Sequence, residues 1–265
     1  MSKATICVVV PVYKAMATLD RCVESVLAQQ VDGGLACILV DDGSPDESGA
    51  MCDAWAAKDD RVTVIHQDDL GVSGARNSGV AAADSEFIVF LDSDDALRPG
   101  ALQAALTAQR AAPQDFVVWH YTTDEHDPAA VTADTALRPQ AGLARLWLDC
   151  LLAMPWNKLY RTDLAKQLPF DVQYTLGEDL QFVLDYIALL GQTAPGFGYR
   201  VLNSPLTFYD CSRGGTLSTR YHANYCDIWP KHFAKLNAAC HTAGCPAEDL
   251  RPLHRAELQV FAEGV

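Results

Sequence analysis

Two apolar runs in the first half of the chain end in carboxylates: Phe87-Ile88-Val89-Phe90-Leu91 stops at Asp92-Ser93-Asp94-Asp95, and Ala36 to Val40 stops at Asp41-Asp42-Gly43. Asp92 and Asp94 are separated by one residue, so both side chains can converge on a hard divalent cation that keeps waters and borrows phosphate oxygens. Such a pair fits a metal-nucleotide site; taken alone it fits a solvated turn at least as well, and Asp41-Asp42 has the same bland reading as a turn former. A further acid, Asp179 in Gly177-Glu178-Asp179-Leu180, opens a helical pattern. There the helix dipole favours the ionised carboxylate, and the side chain can equally be a plain cap. Cations gather in two places. Met154-Pro155-Trp156-Asn157-Lys158-Leu159-Tyr160-Arg161 mixes them with aromatics, and Arg213 sits inside the glycine-rich Cys211 to Ser218 run, which Arg220 and His222 follow. A Trp in such a block suits a core position or a sugar-ring platform. The glycine-rich run suits a loop that closes over a bound ligand. Arg213, Arg220 and His222 could neutralise a diphosphate, with His222 a candidate metal ligand.

These residues need a scaffold, and the pattern supplies one. Ala4 to Val12 is apolar and β-branched, and Pro11-Val12-Tyr13 closes it as an exposed turn. Leu19, Cys22, Val23, Val26 and Leu27 follow a helical period to about Gln30. Ser44-Pro45-Asp46-Glu47 reads as a capping box opening a helix to about Lys58. Val62 to His66 reads as a strand. Val72 to Ala83 reads as a helix that can lie close on a sheet, because Gly74, Ala75, Ser78 and Gly79 carry almost no side chain. Strands alternating with helices predict a doubly wound, mostly parallel sheet. Ligands of such sheets bind beyond the carboxyl ends of the strands, where the acids sit. Pro11-Val12-Tyr13-Lys14 stands where a dinucleotide fold would carry its Gly-rich turn, and a Walker loop is missing. Farther on, Phe116 to Tyr121 reads as a strand and Thr122 to Pro139 as an irregular loop. Gly142 to Leu152 and the residues after Glu178 read as helices, Arg200 to Phe208 as a late edge strand, and the chain after Tyr221 as helical.

The 265 residues suffice for a full core, and a net charge of -14 disfavours nucleic acid or anionic membrane as the main partner. Nine cysteines without a C-x-x-C pair, among them Cys7, Cys37 and Cys150, read as reduced core thiols of a cytoplasmic protein. Met1-Ser2-Lys3 runs straight into a strand, with no signal peptide and no run of membrane-spanning length.

Val9-Pro11-Val12-Tyr13, Leu39-Val40-Asp41-Asp42-Gly43-Ser44, Gly71-Val72-Ser73-Gly74-Ala75-Arg76-Asn77 and Phe90-Leu91-Asp92-Ser93-Asp94-Asp95 together resemble the signature blocks of the family 2 glycosyltransferases of GT-A fold. The resemblance is close over residues 4 to 100 and looser to about 220. It implies a Rossmann-like GT-A sheet flanked by helices, with residues 1–112 as the nucleotide-sugar half, 113–220 as the acceptor half of the same domain and 221–265 as a C-terminal helical segment. The implied activity is inverting, metal-dependent transfer of a hexosyl or N-acetylhexosaminyl group. The donor would be a nucleotide sugar, UDP-linked by expectation, and the acceptor a glycan or lipid-linked saccharide of bacterial surface polysaccharide synthesis, in the cytoplasm or at the inner membrane face.

In residues, the resemblance implies that Asp94 is the chief ligand of Mn²⁺ or Mg²⁺, with Asp92 completing the shell or holding the ribose beside Ser93. Asp42, backed by Asp41, would accept the base N–H; Tyr13 would pack on the base, Pro11 and Val12 would line the slot, and Arg76 would fix the donor. Asp179 would be the catalytic base, raised in pKa by neighbours such as Trp156, with Trp156, Lys158 and Glu178 on the acceptor side. Lys14 and Asp69 stand where the family usually carries Asn, so the base identity is less sharply implied than the reaction. A two-carboxylate hydrolase would leave the strand-end acids unexplained, and a nucleotidylyltransferase would carry a Gly-rich, Arg-containing loop after the first strand. A binding module of the same fold without turnover is the remaining alternative.

Overall fold

The computed structural model describes residues 3–174, 176–212 and 225–263, with side chains omitted at 225–227 and 259–263. Strands β1 (Ala4–Val12), β2 (Leu35–Asp42), β3 (Val62–Gln67) and β4 (Ser85–Phe90) lie in the order β3-β2-β1-β4, all parallel. Helices α1 (Leu19–Leu27), α2 (Ser48–Lys58) and α3 (Gly71–Ala82) make the crossovers. Beyond β4 the sheet becomes mixed. After the two-residue β5 (Ala96–Leu97) and α4 (Ala101–Ala111) come β6 (Phe116–Thr122), β7 (Thr135–Pro139), α5 (Leu143–Leu148), β8 (Lys158–Arg161) and α6 (Thr162–Ala165). The described chain is completed by α7 (Glu178–Thr193), β9 (Gly198–Phe208), α8 (Tyr225–Thr242) and α9 (Ala247–Glu263). The order continues β4-β8-β6-β9-β5, with β7 on the side of β9.

Both faces of the sheet are covered, which is why its strands read as unbroken apolar runs. Successive residues of β1 serve opposite layers: Ile6, Val8 and Val10 pack with α1, α2 and α4, while Cys7 and Val9 pack with α3 and the second half of the chain. α3 approaches β1 so closely that a Cβ on Gly79 would lie 2.2 Å from Val9 Cγ1.

Four expectations are corrected. The capping box does not open α2, which begins at Ser48. Ser44 Oγ instead accepts the Lys14 N–H and Ser48 Oγ that of Ala15, so both hydroxyls serve the turn after β1. The stretch 122–139 contains β7, and the aromatic-cationic block contains β8, whose pairing with β4 spans only Phe87↔Arg161 and Ile88↔Tyr160. The strand expected at an edge, β9, is interior: it pairs with β6, β7 and β5. Cys150 is exposed at a φ of 55°, not a core thiol, and Cys211 is exposed as well; Cys7, Cys22, Cys37, Cys52, Cys240 and Cys245 are buried. Among the described residues no helix is long and apolar enough to cross a membrane.

Candidate active site

The carboxyl ends of β1, β2 and β4 meet along one edge. At the end of β1, Pro11 and Val12 are buried, and the chain then turns outward through Tyr13, 44% exposed, and Lys14, whose φ of 52° is left-handed. Val12 stands in register with Asp41. Asp41 and Asp42 are buried and hydrogen-bonded by their own chain. Asp41 accepts from the Ser44 N–H at 3.1 Å and meets His66 Nδ1 at 2.9 Å. Asp42 Oδ1 accepts from Gln67 Nε2 at 2.7 Å and from the Leu70 N–H at 2.9 Å. Burial works against the charge of Asp41, yet Ser44 and His66 together hold its carboxyl below the usual range. His66 Nε2 also meets Asp53 at 3.0 Å, and Asp53 with Asp41 raises the imidazole pKa.

The β4 terminus is arranged differently. Asp92, Ser93 and Asp94 are half-buried. The small residues of α3 let that helix sink onto the sheet, which carries the Arg76 guanidinium into the interior, 3% exposed, with its Cζ 5.4 Å from the centre of the Phe170 ring. Arg76 Nη2 donates to Asp92 Oδ1 at 2.9 Å, and Nη1 donates to Asp179 Oδ1 at 2.6 Å. One cation therefore joins the acidic strand end to the acid at the start of α7.

Asp179 is placed from three directions. Gly177 caps α7 at a φ of 76°, and a Cβ there would lie 2.4 Å from His232 Nε2, so glycine is required. His232 in α8 meets the Leu176 carbonyl at 2.9 Å and Gln181 of α7, locking the turn. Asn77 closes the third side. Its amide donates to the Phe170 carbonyl at 2.9 Å and accepts the Phe170 N–H at 2.8 Å, and Phe170 stacks on Phe182 of α7 at 3.9 Å. Burial pushes the Asp179 carboxyl up to about 7; Arg76 opposes the rise, while Glu178 and Asp92 add to it. Asp95, fully buried, is pushed up to about 9, chiefly by burial and then by Asp92.

The three residues expected to face an acceptor are enclosed instead. Lys158 is fully buried, and its ammonium donates to the Leu151 carbonyl at 2.7 Å, the Met154 carbonyl at 2.5 Å and Asn157 Oδ1 at 2.5 Å. Burial pulls its pKa well down, and with all three N–H groups spent on the 151–157 loop it is a loop clasp. Trp156 is 3% exposed, stacked on Tyr209 at 5.3 Å and edge-on to Tyr121 at 5.2 Å. The half-exposed rings of Tyr121 and Tyr209 form the accessible part of that cluster. Glu178 is buried beside Asp179. Arg213, Arg220 and His222 lie outside the described residues.

Contacts not anticipated from sequence include His66, Gln67, Asn77, Arg21, Asp95, Asp210 and His232. Their partners lie far away along the chain, 93 positions for Asn77 and Phe170, and 189 for Arg21 and Asp210. Periodicity carries no such signal.

Asp92 and Asp94 suit a hard cation in donor type and spacing. Among the described residues no group of three or more His, Cys, Asp or Glu gathers to hold a metal ion. A cation at this edge would therefore complete its shell with water and ligand oxygens, as Mg²⁺ does on one or two carboxylates. Hydrogen-bonded acids, an exposed aromatic, a pair of half-buried strand-end carboxylates and a half-buried carboxylate with raised pKa share one rim.

Comparison with known proteins agrees with this arrangement. The profile of Glycosyl transferase family 2 matches residues 7–172. Glycosyltransferase GlyG of Streptococcus pneumoniae is 39% identical over 124 residues, 46% of this chain and 41% of that protein. Succinoglycan biosynthesis protein ExoO of Rhizobium meliloti is 32% identical over 206 residues, 72% of this chain and 58% of that protein. The chain thus spans about half the length of the curated relatives it matches. In structure, S. aureus TarS 1-349 in complex with UDP-GlcNAc superposes with a TM-score of 0.71 at 18% identity, covering 98% of this chain and 71% of that one, which shows a shared GT-A fold.

Proposed function

The chain belongs to glycosyl transferase family 2, and from that premise we propose that it transfers a sugar from a UDP-sugar, with inversion, to a hydroxyl of a glycan or lipid-linked saccharide in bacterial surface polysaccharide synthesis. The observation that carries this reading is the Arg76 bridge, which sets a donor-side acid and a proton acceptor on the two ends of one guanidinium. The base would lie across Tyr13, with its N–H directed to Asp42, whose Oδ1 is already turned by Gln67 and Leu70. Asp92 and Asp94 would hold Mn²⁺ or Mg²⁺, which supplies Lewis-acid stabilisation of charge on the departing diphosphate.

Asp179 spends Oδ1 on Arg76 and keeps Oδ2 for the acceptor. The acceptor oxygen bonds to the anomeric carbon as its proton passes to Asp179, and the bond from that carbon to the phosphate oxygen breaks on the opposite side. A carboxyl at about 7 is a stronger base than an ordinary Asp near 3.9 while still substantially ionised at neutral pH. Arg76 keeps that ionised form available.

The test is release of nucleoside diphosphate from a panel of UDP-, GDP- and dTDP-sugars with and without Mn²⁺ and a glycan acceptor series. Release from a UDP-sugar that depends on both cation and acceptor is expected. Cation-dependent UDP binding without turnover on any acceptor would leave a binding module instead.

A further inference from the structure

Part of the hold on the acidic turn after β4 comes from side chains of α1 and of Gln29 just beyond it. Cys22 Sγ donates to the Asp92 carbonyl at 3.6 Å, and Arg21 Nη2 donates to the Asp94 carbonyl at 2.6 Å. One turn on, Ser25 Oγ accepts the Leu97 N–H at 2.9 Å. Gln29 Nε2 donates to the Arg98 carbonyl at 3.0 Å, while its Oε1 accepts the Leu102 N–H at 3.2 Å. Positions 21, 22 and 25 share a face of α1 and Gln29 stands just past its end, so α1 and the segment that leaves it act as a ruler along residues 92–102.

Arg21 does more than its neighbours. The same Nη2 reaches Asp210 Oδ2 at 2.7 Å, and the guanidinium lies 5.0 Å from the Phe208 ring at the end of β9. Asp210 in turn donates its N–H to Asp95 Oδ1 at 2.9 Å and accepts from Ser212 through Oδ1. Hydrogen bonds at Arg21, Asp210 and Asp95 therefore tie the turn to the β9 terminus at both Asp94 and Asp95. Buried Arg21 Nε and Asp95 Oδ2 have no hydrogen-bond partner among the described residues, so the group is incompletely satisfied as it stands.

We propose that Arg21 is a positioning residue for the acidic turn, fastening the Asp94 backbone to the end of β9 so that the Asp94 carboxylate is aimed before any ligand arrives. This rests on the reading of Asp92 and Asp94 as the cation edge of a nucleotide-sugar site. A carbonyl held by a charge-assisted bond from a part-buried guanidinium has little freedom to rotate, and the adjoining side chain inherits that restraint. Arg21 touches neither donor nor acceptor in this role.

The test is UDP binding to the full chain by calorimetry, with and without MnCl₂, for the parent, Arg21→Met, Arg21→Lys and Asp210→Asn. Loss of one charge-assisted bond should weaken the Mn²⁺-dependent component about tenfold in Arg21→Met. Metal-free UDP binding should stay at the parent value, because Tyr13 follows β1 and Asp42 ends β2, apart from the turn after β4. Arg21→Lys should recover part of the loss, and Asp210→Asn should fall between. Mn²⁺-dependent binding equal to the parent in Arg21→Met and Asp210→Asn would overturn the inference. So would an equal fall in metal-free and metal-dependent binding, which marks plain fold support. If Arg21→Met does not fold, Asp210→Asn decides by the same two measurements. A parent whose UDP affinity ignores Mn²⁺ would defeat the reading of Asp92 and Asp94 themselves, an outcome distinct from a responsive parent with unaltered variants.

Discussion

The ends of β2 and β4 carry the same residue type at the same rim and treat it in opposite ways. Asp41 and Asp42 are buried and held by Ser44, His66, Gln67 and Leu70 from the neighbouring turn and strand. Asp92 is 30% exposed at its side chain, tied to Arg76, with its backbone gripped from α1. The first pair is a finished surface with fixed acceptors, suited to reading a hydrogen-bond pattern. The second is half-buried and linked through a buried cation to Asp179, whose side chain is 29% exposed. What sets the two ends apart is the partner set of each carboxylate, since the residue type is shared, and in the proposed function that difference divides recognition from chemistry.

The sharpest way to break that contrast is at the chemical end. Asp179→Asn should lower turnover by about 10² to 10⁴ with UDP binding intact, the usual worth of general-base assistance. Nucleoside diphosphate release with a competent acceptor measures it, and an unchanged rate would remove Asp179 from the reaction. Arg76→Met should cost about 3 to 5 kcal/mol of stability in denaturant unfolding at neutral pH, because it leaves the Asp92 and Asp179 carboxylates without their shared cation. It should also displace the acid limb of the rate profile to higher pH, since Arg76 is the group that holds the Asp179 carboxyl down.

At the β2 end, Asp42→Asn should cost about 1.5 to 3 kcal/mol through weakened bonds to Gln67 and Leu70, and should raise the KM for donor while kcat changes little. A fall in kcat alone would erase the division of labour between the two ends.

The pH responses should also oppose one another. Asp179 must be ionised to accept a proton, so the rate should rise as pH increases through about 7. The His66 clamp between Asp41 and Asp53 runs the other way. Its folded pKa is raised by those carboxylates, so its contribution is whole below the ordinary imidazole value of about 6.5 and is lost as pH rises through the raised one. His66→Ala should therefore cost most at acid pH, and only about 0.2 to 1 kcal/mol there, because the ring is half-exposed. Unfolding curves across pH 5 to 9 (about four units around the neutral imidazole range) would show the gap between parent and variant closing as pH rises.

Much of the first half was legible because each of its elements buries a continuous stripe. β1 to β4 are apolar runs closed by turn formers, and the small residues of α3 announce a close approach that Gly79 makes against Val9. The second half was harder. β8 is four residues long and pairs only briefly with β4, so its block reads as isolated aromatics and cations. β9 looked like an edge because its partners β6, β7 and β5 are scattered along the chain. Lys158 differs: the resemblance set it on the acceptor side, and although its partners are close in sequence, only the fold of the loop shows the Leu151 and Met154 carbonyls closing around it.

Local pattern alone determined the alternation of strand and helix, the acids at the strand ends and the α7 start at Glu178-Asp179. Those follow from burial periodicity and from backbone groups that each segment must satisfy by itself. Tertiary structure decided which partners each carboxylate meets, that Arg76 joins Asp92 to Asp179, and that α1 with Gln29 just beyond it holds the Asp92 to Arg98 segment. A carboxylate's charge and basicity depend on neighbours brought in by chain crossings of many tens of residues, and no run of adjacent residues encodes that distance.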